Sequence, residues 1–312
     1  RNKLIIRLSN EIGNQMFMYA SAYSISKKLN RELLIDNETA FLSKKNISKF
    51  GLDNFNISSN ICSNEYKFKN LKGYLKRKIS KKIDFLRHKK KFYIEKKDKM
   101  KITYYSDEFL DKHLSNIAFM EGHFESYKYF DDLRSQILDE FSFKNLNILK
   151  KNDFYNELNS CNSVSICLRQ NRFSEGKTKD IDKNNKKSID FTLEQIRYIN
   201  KSASFIKTKI NNPIFYLWSN DFSSVPENLF EFNFKKIDLS SQKLDYDQRI
   251  CSLFLLTQCK HFIVTTSTFN WWGAWLSNSK DKIIIRPNDT FFSNFRVNNR
   301  DFWPKEWIKL DF

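Results

Sequence analysis

Arg169 and the pair Ser267–Thr268 have the side chains best suited to hold a phosphate in this 312-residue chain. Arg169 directly follows an apolar, β-branched run, Ser163–Leu168 (SVSICL). Ser267 and Thr268 follow a second such run, His261–Thr265 (HFIVT), and open a segment of helical character. A guanidinium fork matches phosphate oxygens two at a time. The free backbone N–H groups of a helix start favour an anion, and hydroxyls there add further hydrogen-bond donors. Each feature also has a plainer reading: Arg169 as half of a surface ion pair, Ser267–Thr268 as an N-cap. Their common place at strand ends favours one diphosphate held by both. Two more strand ends carry polar groups. Asn220 and Asp221 follow Pro213–Ser219, and Glu11, Gly13 and Asn14 follow the first strand and open a helix. Metal chemistry has weaker support. His88, His113, His123 and His261 are scattered. Asp245-Tyr246-Asp247 has the acid–x–acid spacing that can hold a divalent ion, but it precedes a helix, where Asp247 reads equally as an N-cap. Walker loops, nucleophile elbows and dinucleotide fingerprints are absent from the sequence.

Strands and helices that could position these residues alternate. Lys3–Leu8, a helix over Asn14–Leu29 with Met18, Ala22, Ile25 and Leu29 on one stripe, and Leu33–Asp36 make a strand–helix–strand opening. The region from 40 to 120 is basic and partly helical, with a return to the sheet around Ala118–Met120. The second half reads as Ser163–Leu168, a helix over 192–207, Pro213–Ser219, a short helix at 225–231, Phe234–Asp238, a helix over Asp247–Gln258, His261–Thr265, a helix over Ser267–Leu276, and Lys282–Arg286. Such alternation predicts a doubly wound parallel sheet, whose ligands sit outside the carboxyl ends of the strands. The Asn-, Lys- and Ser-rich stretch at 145–162 separates two domains, 1–155 and 156–312.

Composition sets outer bounds. With 40% hydrophobic residues and only 6 Gly and 4 Pro, the chain can build real cores and is neither disordered nor collagen-like. Its formal charge is +18. A basic chain is read as a solvated lysine-rich face, a contact with anionic lipid, or a nucleic-acid surface. The charge concentrates in 66–101, and no nucleic-acid recognition signature accompanies it. The solvated face is the plainer reading; the partner reading beside it is peripheral contact with an anionic membrane through 66–101, and no nucleic acid is expected. A non-enzymatic polyanion-binding module is the rival from a different class. Five widely spaced Cys without a C-x-x-C, and no run of 18 apolar residues, predict reduced thiols and a cytoplasmic protein; the membrane reading of 66–101 would make it peripheral at the inner face of the plasma membrane.

Several motifs carry a resemblance. Ile12-Gly13-Asn14-Gln15-Met16-Phe17-Met18-Tyr19-Ala20 resembles the G-N-Q-M-F-Q-Y-A opening of bacterial α-1,2-fucosyltransferases, and Ser267-Thr268-Phe269-Asn270-Trp271-Trp272-Gly273-Ala274-Trp275 resembles their S-S-F-S-W-W-G-A-W. Cys259-Lys260-His261, Ser219-Asn220-Asp221 and Glu121-Gly122-His123-Phe124-Glu125-Ser126 resemble C-K-H, S-D-D and E-G-Y-F-Q-S, in family order over nearly the whole chain. The resemblance implies an α/β GT-B fold, two Rossmann-like doubly wound domains facing a cleft, the N-terminal one on the acceptor side and the C-terminal one binding the nucleotide sugar. It implies an inverting, metal-independent fucosyl transfer from GDP-fucose without a cofactor, to a glycan acceptor, lipid-linked or not, in surface-polysaccharide (O-antigen or capsule) synthesis. Cys167-Leu168-Arg169-Gln170-Asn171-Arg172 departs from the family's H-x-R-R-x-D. The diphosphate-holding Arg survives as Arg169. The guanine-reading His becomes Cys167, and the Asp that helps it aligns with Ser252. The nucleotide-site residues are therefore expected to be Gly13, Asn14, Arg169, Asp221, Ser252, Ser267 and Thr268, with another nucleotide-activated sugar as the alternative to GDP-fucose. In a single displacement Arg169 stabilises the leaving phosphate. Glu11, in the first strand–helix loop, is a candidate base; Asp36, at the end of the second strand, is another. Dispersed catalysis without a base is a third reading.

Overall fold

The structure is a computed structural model that describes residues 2–42, 48–295 and 297–311. The chain divides into two compact units, Arg1–Lys144 with Arg300–Trp303, and Asn145–Asn299 with Pro304–Phe312.

The first unit holds β1 (Lys3–Arg7), α1 (Ile12–Lys28), β2 (Glu32–Asp36), β3 (Asn60–Ile61), α2 (Asn70–Lys82), β4 (Lys90–Ile94), β5 (Leu114–Glu121) and α3 (Arg134–Glu140). Its sheet runs β3-β2-β1-β5-β4, all parallel. The chain leaves β1 toward β2 on one side, while β5 lies on the other, so the topological switch point is between β1 and β5. Helix α1 is buried around almost its whole circumference, which suits a helix apolar on every side better than the single stripe of its sequence spacing. Arg31, 8% exposed, donates to the carbonyl oxygens of Lys3, Leu114 and Ser115 and so closes the amino ends of β1 and β5. The carboxyl ends are left for chemistry. Arg300–Trp303 returns to this unit from the far end of the sequence. The Phe302 ring lies 5.7 Å from that of Phe17, and Asp301, fully buried, accepts from the Tyr105 N–H.

The second unit holds α4 (Leu146–Leu149), α5 (Asp153–Ser160), β6 (Asn162–Leu168), α6 (Ile181–Lys209), β7 (Pro213–Ser219), β8 (Phe234–Lys236), α7 (Gln248–Thr257), β9 (His261–Ile263), α8 (Thr268–Leu276), β10 (Ile284–Arg286) and β11 (Ile308–Lys309). The parallel sheet has the order β8-β7-β6-β9-β10-β11, the strand order of a Rossmann sheet, with its switch point between β6 and β9.

Three expectations differ from the structure. The unit boundary lies at 144/145 rather than 155/156, because α5 packs on β6 and α7. Helix α6 starts eleven residues before position 192; its first turns are polar and solvent-facing and show little apolar periodicity. No helix forms at 225–231. Val225 and Phe230 are buried from a loop there, and so short a segment gains too few hydrogen bonds to offset helix nucleation.

Candidate active site

In the second unit the residues expected to hold a phosphate stand at strand ends. Val164, Ser165 and Ile166 of β6 pair with His261, Phe262 and Ile263 of β9, so Arg169 and Thr265–Thr268 leave the sheet from adjacent strands at the switch point. Helix α6 fixes both strand ends. Gln195, fully buried, accepts from the Arg169 N–H at 2.9 Å and donates to the Arg169 carbonyl at 2.8 Å. One turn on, the Tyr198 hydroxyl meets the carbonyl oxygens of Val264 and Ile285 at 2.9 and 3.0 Å. Burial pushes that phenol well above its ordinary range, so it stays a hydrogen-bond donor.

The Arg169 guanidinium is partly exposed and pairs with the exposed carboxylate of Glu175, six residues on in the same loop. A surface ion pair of this kind contributes little and yields readily to a phosphate. Ser267 stands at the N-cap position of α8, yet its side chain makes no capping hydrogen bond. Asn270 Oδ1 accepts from the Thr265 N–H at 2.7 Å, which fixes the amide orientation and leaves Nδ2 buried without a partner among the described residues. A buried unsatisfied donor is costly unless something meets it, so this turn fits a ligand with acceptor oxygens. Helix α8 is anchored beneath by Trp271, Trp272 and Trp275, all buried. Gly273 lets it approach α7: a Cβ there would stand 2.4 Å from Leu256.

Two of the three departures in the Arg169 segment, Gln170 and Arg172, hold the loops together. Gln170 donates to the Ser219 hydroxyl at 3.1 Å, its N–H meets Asn220 Oδ1 at 2.8 Å, and its Oε1 accepts from Ser224. Arg172 donates to the carbonyl oxygen of Thr266 at 2.8 Å and its hydroxyl at 3.3 Å, joining the loop after β6 to the α8 turn. Neither role was visible in the sequence, because each partner is 49 or more residues away. Asp221 accepts from the Ser223 N–H and the Ser223 and Ser224 hydroxyls, which shapes its turn and keeps its carboxyl below the usual range. Cys167 is buried opposite Trp218, whose indole N–H donates to the Ser252 carbonyl at 3.2 Å. Cys167 and Ser252 thus border one indole. Asp247 is the N-cap of α7, accepting from the Arg249 N–H at 2.8 Å and pairing with its guanidinium. Among the described residues no group of three or more His, Cys, Asp or Glu could hold a metal ion. Their cysteines are free thiols.

In the first unit, Gly13 is buried in the first turn of α1, and Asn14 Nδ2 donates to Glu125 Oε1 at 2.6 Å. Glu11 is exposed, accepts from the Ser48 hydroxyl at 2.6 Å, and receives the Asn14 and Gln15 N–H groups on its carbonyl. Asp36 is buried and its carboxylate is taken up by Glu38 N–H, Thr39 N–H and the Thr39 hydroxyl, which makes it a turn former. The sequence reading overlooked a cluster at the switch point itself. His123 Nε2 lies 2.9 Å from Asn10 Nδ2, and its Nδ1 lies 3.5 Å from Glu125 Oε1. Glu95 accepts the N–H groups of His123 and Phe124. Gly122 makes the turn: φ is +153° and a Cβ would sit 2.3 Å from that of Glu95. The Glu125 carboxylate raises the His123 pKa above its ordinary value against the opposing effect of burial. The available signal was the pair His123 and Glu125, standing where the resembled motif has Tyr and Gln.

An α-1,2-colitosyltransferase of Escherichia coli is 25% identical over 316 aligned positions, covering 99% of this chain and 99% of the relative. The O-antigen biosynthesis glycosyltransferase WbnK of Escherichia coli is 24% identical, covering 97% and 99%. The crystal structure of fucosyltransferase NodZ from Bradyrhizobium superposes with a TM-score of 0.52 at 13% identity, covering 88% of this chain and 93% of that one. This likeness concerns the fold, two parallel-sheet units of the GT-B class. Residues 89–311 match the sequence profile of glycosyl transferase family 11, and the chain, with its phosphate-suited turn at the switch point of a Rossmann sheet, belongs to that family and is a glycosyltransferase.

Proposed function

We propose that the protein transfers fucose from GDP-fucose to a glycan hydroxyl, forming an α-1,2 linkage with inversion, in the assembly of a surface polysaccharide such as O-antigen. The observation that carries this is Arg169 at the β6 end beside the Ser267–Thr268 turn, with the buried Asn270 amide left for a ligand. Arg169 and the α8 start offset the negative charge that grows on the leaving diphosphate, which is preorganised electrostatic stabilisation. Gly13, Asn14 and Glu11 belong to the acceptor-side unit, where α1 begins just beyond the carboxyl end of β1. The acceptor glycan is lipid-linked in this reading, and the basic segment 66–101 keeps the enzyme at an anionic membrane. A colitosyl donor is the second reading, favoured by the relative of that name.

The acceptor proton needs a base, and His123 fits better than Glu11. Its ring is oriented by a carboxylate, the arrangement that holds a catalytic imidazole in one tautomer, whereas Glu11 is tied to Ser48. Only the neutral ring accepts a proton. With its pKa raised, kcat should fall as pH drops through a value above the ordinary 6.5 of the group. His123→Ala should flatten that acid limb and lower kcat about a hundredfold, the scale of one general base. An unchanged pH profile in the folded variant would remove His123 from the reaction.

Transfer assays over a panel of GDP-, UDP-, CDP- and dTDP-sugars test the sugar donor, and turnover from GDP-fucose alone is expected. Transfer should persist in excess EDTA, because Asp247 is committed to capping α7 and Arg169 occupies the place where a cation would meet the diphosphate. Loss on chelation, restored by Mg²⁺ or Mn²⁺, would return Asp245 and Asp247 to catalysis.

A further inference from the structure

Helix α2 is mounted with its apolar side outward. A surface helix of a globular protein ordinarily turns its apolar stripe to the core and its charges to water. Here the charged side faces the protein. Arg77 meets Glu121 through Nε at 2.6 Å and Nη2 at 2.5 Å, and Lys81 meets it at 2.6 Å. Ser80 is buried on the same side, and Gly73 abuts the Phe68 backbone. The opposite side carries Leu71, Leu75 and Ile79 at successive four-residue steps, 72%, 46% and 59% exposed. Phe85 and Leu86, in the turn that follows, are 73% and 71% exposed.

Lysines flank this stripe. At about 100° per residue, Lys78 and Lys82 lie along one edge and Lys72 and Lys76 along the other, all exposed. None of the four has an ion-pair partner among the described residues, and α2 contains no Asp or Glu. A polyanion in solution would be met by the lysines alone and would leave the leucines in water. A two-fold contact with a second copy would bury the leucines but bring the same lysines onto themselves. An anionic bilayer answers both features: the apolar side chains enter the acyl boundary, and the lysines reach back to the headgroups.

We infer that the outer face of α2, with the turn at Phe85–Leu86, is a docking surface for an anionic lipid bilayer. This deepens, and rests on, the membrane contact proposed for 66–101, and it narrows that contact to one face. It also has a consequence for the acceptor. Tyr74 of the same helix lines a cavity of about 320 Å³ with Arg7, Thr39, Phe68, Asn70 and Arg77, at the carboxyl ends of β1 and β2. Docking sets this cavity beside the headgroups, where a glycan carried on a lipid would enter.

The test is vesicle co-sedimentation of the full chain, using phosphatidylcholine alone and phosphatidylcholine with about a third phosphatidylglycerol. The wild type should bind the anionic vesicles at least about tenfold more tightly than the neutral ones, and salt should weaken it. The solvent-facing triple change Leu71→Ser, Leu75→Ser, Ile79→Ser should weaken binding at least about tenfold, as three leucine-sized groups leave the acyl boundary. The change of Lys72, Lys76, Lys78 and Lys82 to Gln should weaken it by up to about fivefold per lysine. Both variants should keep hydrolysis of the nucleotide sugar, which also shows that they fold. Wild-type binding by the triple variant overturns the α2 face and leaves the broader 66–101 contact standing. No vesicle binding by the wild type overturns both. Self-association that the serine changes abolish, without vesicle binding, assigns the face to a second copy and overturns the proposal. Vesicle binding without any sugar turnover leaves this inference intact and removes the catalytic one.

Discussion

Replacing Arg169 by Ala should leave the protein folded and lower turnover at least about a hundredfold, the scale for one lost charge-stabilising donor at a developing oxyanion. The fold should survive because the side chain is partly exposed and pairs with an exposed carboxylate, while the backbone at 169 is held by Gln195. The loss should fall mainly on kcat. Negative charge on the bridging and terminal phosphate oxygens grows as the glycosidic bond breaks, so the guanidinium contributes more in the transition state than in the ground state. Arg169→Lys should recover only part of the rate, since an ammonium cannot span two oxygens in a fork. A companion change sharpens the assignment. Glu175→Gln removes the carboxylate that competes with the sugar donor and should lower its KM a few-fold without lowering kcat. The check is steady-state kinetics with a far-ultraviolet spectrum and a melting curve on each variant. Near-wild-type turnover in folded Arg169→Ala would move the diphosphate elsewhere.

The parts legible in the sequence were those with a local signature. The buried strands β6 and β7 and the helices α7 and α8 announced themselves by apolar runs or helical spacing, and strand ends then followed by counting residues. Arg169, Ser267 and Thr268 could be chosen because strand-end position and side-chain chemistry are both local properties. The rest depended on distant partners. Gln170 and Arg172 read as losses from a motif until the structure showed them tying three loops together. The segment Arg300–Trp303 lies between β10 and β11 of the second unit in sequence yet belongs to the first unit, and no periodicity signals such a return. His123 was one of four scattered histidines because Asn10, which meets it, and Asn14, which meets Glu125, precede it by more than a hundred residues. The basic segment was read only as a concentration of charge, whereas α2 places Arg77 and Lys81 on an ion-paired inner side and Lys72, Lys76, Lys78 and Lys82 on an exposed outer one. Sorting of that kind needs the position of Glu121, which the helix's own sequence does not contain.

Changing Cys167 to His together with Ser252 to Asp should raise the preference of the isolated protein for GDP over UDP by about tenfold or more. A guanine edge presents N1–H and N2–H₂, and a carboxylate supplies the paired acceptors they require; a thiol and a hydroxyl do not. A site built to meet such groups discriminates strongly, because a mismatched base leaves buried polar atoms without partners. The structure adds a reason to make both changes at once. Cys167 sits in register with Trp218, and the Trp218 indole is bonded to the Ser252 carbonyl, so the two positions border one aromatic side chain. Cys167 is buried and burial raises its thiol pKa, so at neutral pH it presents a neutral, weakly bonding surface. An imidazole introduced there without an acidic partner at 252 would face the same desolvation, so Cys167→His alone should destabilise the protein and gain little affinity. The double change lets the two new groups satisfy each other before the nucleotide arrives. Isothermal titration with GDP and UDP on the wild type, both single variants and the pair gives the coupling directly as a double-mutant cycle. No gain for GDP in a folded double variant would show that the base is read elsewhere, by backbone groups or another carboxylate, and the diphosphate site at Arg169 would stand without it.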